Sequence, residues 1–97
     1  MQEAYVIGNI IVKDEVKWEE YKSKVTDTLI PFSGELVFRG HKTKNLSGNQ
    51  KHPINVIIKF PNNQDLNNWF ESTSYQSLIS IRELAADVIL TSYQSDS

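Results

Sequence analysis

Apolar residues recur along this chain at two distinct periods. Tyr5 to Val12 is rich in β-branched residues and predicts a strand, with Val6, Gly8, Ile10 and Val12 on one face and Tyr5, Ile7, Asn9 and Ile11 on the other. Both sets are largely apolar, so both faces of this strand require cover. Gly8 leaves room there for a helix to approach closely. The period then lengthens: Trp18, Tyr21, Val25 and Leu29 are spaced three, four and four apart, one face of a helix. Asp14 is its candidate N-cap, Glu15 complements the helix dipole, and Pro31 ends it.

Ser33-Gly34 turns the chain into a second strand, Glu35 to Arg39. Its alternation places Leu36 and Phe38 on one face, and Glu35, Val37 and Arg39 on the other. Gly40 interrupts it, with His41 to Leu46 a candidate continuation after a bend or bulge, and Ser47 to Pro53 is loop by composition. Ile54 to Phe60 is the third strand, showing Ile54, Val56, Ile58 and Phe60 to one side and Asn55, Ile57 and Lys59 to the other. Pro61 stops it, and Asn62 or Asn63 caps a short helix with Leu66, Trp69 and Phe70 on its buried edge. Ser72-Thr73-Ser74 breaks that helix, and Ser74 is positioned to cap a second one, Tyr75 to Ala86. Tyr75, Leu78, Ile79, Ile81, Ala85 and Ala86 share one arc of this second helix, and Arg82 falls within the arc. Val88 to Tyr93 is the last strand.

The order β-α-β-β-α-β with right-handed crossovers predicts an α+β ferredoxin-like plait, a four-stranded antiparallel sheet with its helices on one side. The helix side receives Val6, Ile10, Leu36, Phe38, Val56, Ile58, Phe60, Val88 and Leu90. The other face, with Tyr5, Ile7, Asn9, Val37, Arg39, Asn55, Ile57, Ile89 and Tyr93 among its members, is too apolar for water and too polar for an ordinary core. A second copy laid over it answers both problems, so a homodimer through the open sheet face is expected, forming a dimeric α+β barrel.

Composition narrows the function more than it identifies one. A chain of 97 residues, 39% hydrophobic and 23% charged, is read as a single domain spanning 1–97. The absence of cysteine excludes disulfides and thiolate metal sites. Neither a signal-peptide pattern nor an apolar run of membrane-spanning length is present, so a cytoplasmic protein with no membrane partner is expected. A net charge of −2 argues against a general nucleic-acid partner. Locally, Arg39, Lys42, Lys44 and Lys51 lie in a stretch without acids. It reads first as a solvated hairpin and second as a phosphate or polyanion site, because no aromatic residues interleave with the charges.

Taken together, these residues resemble the family known as domain of unknown function 1330, of the dimeric α+β barrel superfamily. The marks are Tyr21, the Gly34 turn, Arg39-Gly40, Gly48, Phe60-Pro61, Trp69, Ser74-Tyr75-Gln76 and Arg82, and they run from about Ala4 to Tyr93. The chain departs from the family pattern at Ser33-Gly34, where two glycines are usual, and at Lys59-Phe60, where Glu-Phe is usual. It also lacks an arginine around Ile54-Asn55. The resemblance implies a fold and a dimer, and no established activity.

The candidate ligand-binding residues are Arg82, Arg39, His41, Asn9, Asn55, Tyr21, Trp69 and Tyr75; no catalytic set is assigned. Arg82 either grips a carboxylate or phosphate in bidentate fashion or pairs with a protein group such as Glu35. His41 is either a general base or an exposed hairpin histidine, and His52 is read as solvated. Tyr21, Trp69 and Tyr75 either wall a pocket for a flat apolar ligand or pack the core. Asn9 and Asn55 alternate onto the open face, where a buried amide needs a partner. Two histidines at this spacing make no zinc site, and no cofactor is expected. The first functional reading is binding of a small organic ligand, anionic or neutral, in a pocket by the sheet. The second is a cofactor-independent enzyme, monooxygenase- or isomerase-like, acting on a small aromatic or keto compound, as the superfamily resemblance implies. There His41 or Tyr21 would carry a proton and Arg82 or Arg39 would stabilise an oxyanion. The third is an interaction module without a ligand.

Overall fold

Strand β1 (Ala4–Val12) runs through the interior of a four-stranded antiparallel sheet, and its alternation decides how the rest packs. Ala4, Val6, Gly8 and Ile10 are buried, while Tyr5, Ile7, Asn9 and Ile11 between them are half-buried. The computed structural model describes residues 2–96. After β1 come α1 (Glu15–Leu29), a short 3-10 turn (Ile30–Phe32), β2 (Glu35–His41), β3 (Ile54–Phe60), α2 (Asn63–Glu71), α3 (Thr73–Gln76), α4 (Ile79–Ala85) and β4 (Ala86–Gln94). The strands lie in the order β2-β3-β1-β4. This is the ferredoxin-like plait expected from the element order.

Capping chemistry sets the helix ends. Asp14 accepts from the Lys17 amide at 3.1 Å and starts α1. At its far end Ser33 takes a left-handed φ of 58°, the Ser33 amide donates to Ile30 and the Gly34 amide to Leu29. A Cβ at Gly34 would sit 2.8 Å from Phe60 and 2.9 Å from Leu29, so the turn lies flat against the core only because that position is glycine. Asn62 caps α2 through the Asp65 amide at 2.8 Å.

The core lies between the sheet and the helices. Trp18, Tyr21 and Leu29 of α1, Leu66 and Trp69 of α2, and Tyr75 and Leu78 meet Val6, Ile10, Ile58 and Phe60 of the sheet. Trp69 is its centre: its ring centroid lies 4.3 Å from Tyr75 and 5.4 Å from Phe60. Its indole N–H donates to Thr28 Oγ1 at 2.9 Å, and that hydroxyl donates onward to the Val25 carbonyl. The polar edge of the largest buried ring is thereby satisfied.

Four expectations fail locally. First, Tyr75 to Ala86 is not one helix. It breaks at Ser77-Leu78 into α3 and α4, Ala86 already belongs to β4, and the cap of α3 is Ser72 rather than Ser74. Second, β2 ends at His41 with no strand continuing toward Leu46. Third, Gly8 makes room for neighbouring strands rather than for a helix: Val56 and Leu90, its partners on either side, would stand 2.9 and 3.2 Å from an added Cβ. Fourth, Phe70 is 39% exposed, leaving Leu66 and Trp69 as the buried edge of α2.

Candidate functional site

A one-residue bulge in β2 places the first element of the site. Leu36 pairs with Ile58 and Phe38 with Ile57, so Val37 is the extra residue and every later side chain changes face. Phe38 therefore leaves the helix side for the open face, and Arg39, opposite Val56, joins the helix side. Both placements reverse the expectation from simple alternation. Arg39 now lines a cleft between α1 and the sheet. Ile10, Val56, Ile58 and Leu90 form its floor, and Trp18, Tyr21, Val25 and Lys22 of α1 its roof. About 50 Å³ of the cleft admits a water-sized molecule, room for a few waters, and the empty space including the mouth is about 570 Å³. Lys22 is paired with Glu19 at 3.0 Å. Arg39 takes part in none of the ion pairs among the described residues. Arg39, itself exposed, thus stands without a carboxylate partner beside a largely apolar slot.

Behind that slot runs a buried chain of hydroxyls. Tyr21 stacks on Trp18 with centroids 5.4 Å apart, and its hydroxyl shares a 2.9 Å hydrogen bond with that of Tyr75. Arg82 Nη1 donates to the Tyr75 oxygen at 2.9 Å. Its one ion pair is long and lies toward the surface: Glu83 Oε1, mostly exposed, stands 3.6 Å from Nη2, and the expected Glu35 is not the partner. Arg82 Nε is buried with no hydrogen-bond partner among the described residues. Burial, reinforced by the neighbouring Tyr75 phenol, raises the Tyr21 phenol far above its ordinary value, against the opposing effect of Arg82. Tyr21 therefore stays protonated through the neutral range and is a poor proton acceptor.

Of the remaining candidates, the two asparagines occupy the opposite face of the sheet. Asn9 and Asn55 are direct neighbours in register, and Asn55 Nδ2 donates to Asn9 Oδ1 at 3.1 Å. His41, exposed at the end of β2 and opposite Ile54, is carried by the bulge to the helix-side register, against the expectation from simple alternation, and stands at the sheet's edge. His52 was expected to be solvated, yet its side chain is only 12% exposed and its Nε2 lies 3.1 Å from Asp87 Oδ2 on β4. The contact links two groups 35 residues apart, which no local pattern announces. Among the described residues no cluster of three or more His, Cys, Asp or Glu is placed to hold a metal. No helix among them is long and apolar enough to cross a membrane.

The eight candidates thus divide into four places. Arg39, Tyr21 and Trp69 line the cleft, Tyr75 and Arg82 form the relay behind it, and Asn9 and Asn55 lie across the sheet, with His41 exposed at the edge at the end of β2. Trp18 and Lys22 of the cleft were not among them. Trp18 had been visible as a member of the α1 face, and Lys22 follows Tyr21 on the same helix.

Similarity to solved structures follows the fold. A protein of unknown function from Rhodopseudomonas palustris superposes with a TM-score of 0.82 at 13% identity, over 99% of this chain and 84% of that one. A dimeric ferredoxin-like protein of unknown function from Jannaschia sp. gives 0.69 at 11% identity, over 96% and 99%. SnoaB, a cofactor-independent oxygenase from Streptomyces nogalater, gives 0.71 at 6% identity, over 100% and 96%. Identities this low speak for the fold alone. No curated protein matches the chain in sequence. The model of the family described as domain of unknown function (DUF1330) matches residues 3–92, nearly the whole chain, and the protein belongs to that family.

Proposed function

We propose that this protein is a homodimeric binding protein for a small, flat organic molecule bearing an acid group, held in the cleft between α1 and the sheet. The observation that carries this reading is the bulge that turns Arg39 onto an apolar cleft and leaves it without a carboxylate. A guanidinium in that position grips a carboxylate through two parallel hydrogen bonds, while the apolar floor takes the flat body of the ligand. Each 100 Å² of apolar surface so covered contributes about 2.5 kcal/mol before the costs of association. The resting slot is narrow, so a ring enters by displacing the flexible side chains of Lys22 and Arg39. The protonated state of Tyr21 favours binding over proton transfer at this place.

The dimer rests on the open sheet face. Ile89 and Tyr93 there are 46% and 51% exposed, Phe38 is 49% exposed, and Ile7 and Ile57 are half-buried. A second copy laid over this face covers them by two-fold symmetry, and proteins of the same fold are described as dimeric. Light scattering at low micromolar concentration should give twice 11.1 kDa; a mass of 11.1 kDa would remove the dimer. For the ligand, protein purified without dialysis should release a small organic acid detectable by mass spectrometry. Protein of the Arg39→Gln variant, purified in the same way, should release none. Equal recovery from both would place the ligand elsewhere.

A further inference from the structure

We propose that the Tyr21 hydroxyl is a second polar anchor of the cleft, a hydrogen-bond donor that takes a carbonyl oxygen, so that the ligand is an acid carrying a keto oxygen as well. This rests on the cleft being the binding site described above, and it narrows the class of molecule taken there. The reason lies in the number of hydrogens in the relay. Arg82 brings N–H donors and no acceptor, and each phenol brings one O–H. Arg82 Nη1 donates to the Tyr75 oxygen at 2.9 Å, and the two phenols share one bond of 2.9 Å. These bonds consume a single phenolic hydrogen, and the other meets no acceptor among the described residues.

Burial decides which hydrogen is left over. Tyr75 is 0% exposed, with the ring centroid of Trp69 4.3 Å and that of Phe70 5.6 Å from its own. If Tyr21 donated to Tyr75, the Tyr75 hydrogen would be stranded among those rings, and folded proteins avoid a buried donor without an acceptor. The reverse direction avoids this. Tyr75 donates to Tyr21, the more readily because Arg82 polarises it, and the spare hydrogen belongs to Tyr21. Tyr21 lines the cleft, and it stays protonated through the neutral range. The surplus of donors extends to Arg82, whose Nε is buried without a partner among the described residues and whose carboxylate neighbour, Glu83, stands 3.6 Å from Nη2 and mostly exposed. The relay thus offers hydrogens and lacks an oxygen, and the cleft is where an oxygen arrives from outside. The floor of Ile10, Val56, Ile58 and Leu90 offers no polar side chain, so a carbonyl on Tyr21 and an acid on Arg39 fix the ligand at two points. A site built to hydrogen-bond an oxygen discriminates against the analogue that lacks it.

The test is an NMR titration of the full-length protein, read at the indole N–H signals of Trp18 and Trp69, both of which line the cleft. The probes are meta- and para-acetylbenzoate, the matching ethylbenzoates without the carbonyl, and acetophenone, which has the carbonyl and no acid. At least one acetylbenzoate should bind about tenfold more tightly than its ethyl counterpart. Tyr21→Phe should abolish that preference, whereas Tyr75→Phe, which breaks the same bond but keeps the Tyr21 hydroxyl, should retain it. Arg39→Gln should weaken every benzoate and leave both the preference and acetophenone binding unchanged. Benzoate affinity indifferent to Arg39, with the Tyr21-dependent preference intact, would remove the acid grip and leave the carbonyl anchor standing. Four results would overturn the proposal: no saturable shift at either indole with any probe; equal affinity for acetyl and ethyl ligands; a preference that survives Tyr21→Phe; or a preference lost equally in Tyr21→Phe and Tyr75→Phe. The first would remove the cleft reading as well, and the other three leave it intact.

Discussion

Arg82 donates to the hydroxyl of Tyr75 at 2.9 Å, and this contact answers what a charge does in the middle of an apolar helix face. The partner is a phenol that in turn reaches Tyr21, 54 residues away in the chain. The relay ties α1, α3 and α4 together on the helix side of the sheet. Tyr75→Phe removes the acceptor of Arg82 and the partner of Tyr21 at once, and should cost about 1–3 kcal/mol in urea unfolding. Arg82→Met leaves the Tyr21–Tyr75 bond in place and removes a desolvated charge, so it should cost less. The reverse ranking would mean that Arg82 stabilises through contacts other than this one.

Alkaline pH should expose the burial of Tyr21. Its folded phenol is raised far above the ordinary value of 10.0, by burial first and then by Tyr75. A raised value means the contribution to stability is complete below pH 10 and is lost as pH rises beyond it, because the unfolded chain then releases a proton that the folded one retains. Stability should therefore decline above about pH 10, less steeply in Tyr21→Phe. Phenolate absorbance assigned to Tyr21 before unfolding begins would contradict this.

Thr28 is the acceptor for the indole of Trp69, both residues being buried. Thr28→Val keeps the shape and leaves the N–H unpaired, at an expected cost of about 1–3 kcal/mol. Thr28→Ser should retain most of the stability. Chemical denaturation of the two variants side by side decides the matter.

Gly8→Ala should destabilise by about 1–3 kcal/mol, because the new methyl would press on Val56 and Leu90 from both flanking strands. The same substitution at Gly48, where nothing lies within 4 Å but φ is +76°, acts through backbone strain alone. A thermal melt in which Gly8→Ala is neutral would show that the sheet yields there without cost.

The element order was legible because each element buries a face with its own period. Trp18, Tyr21 and Leu29 do so in α1, and Val6 and Ile10 in β1. The helix caps Asp14 and Asn62 were legible for the same local reason. The bulge was not. A single extra residue at Val37 exchanges the faces of Phe38 and Arg39, and three apolar residues in a row, Leu36-Val37-Phe38, do not say which is extra. The break at Ser77-Leu78 was hidden because Leu78 and Ala85 stay buried across it. The His52–Asp87 contact depends on where a loop lands on a distant strand, and no periodicity carries that information.

The most direct test of the cleft is fluorescence. Both tryptophans of the chain, Trp18 and Trp69, line it, so intrinsic emission reports its occupancy. Titration with 2-naphthoate should change the emission saturably, with 2-naphthol binding more weakly for want of the acid group. Arg39→Gln should weaken 2-naphthoate about tenfold while leaving 2-naphthol nearly unchanged. Emission that does not saturate, or equal affinity for 2-naphthoate with and without the Arg39 guanidinium, would contradict the account.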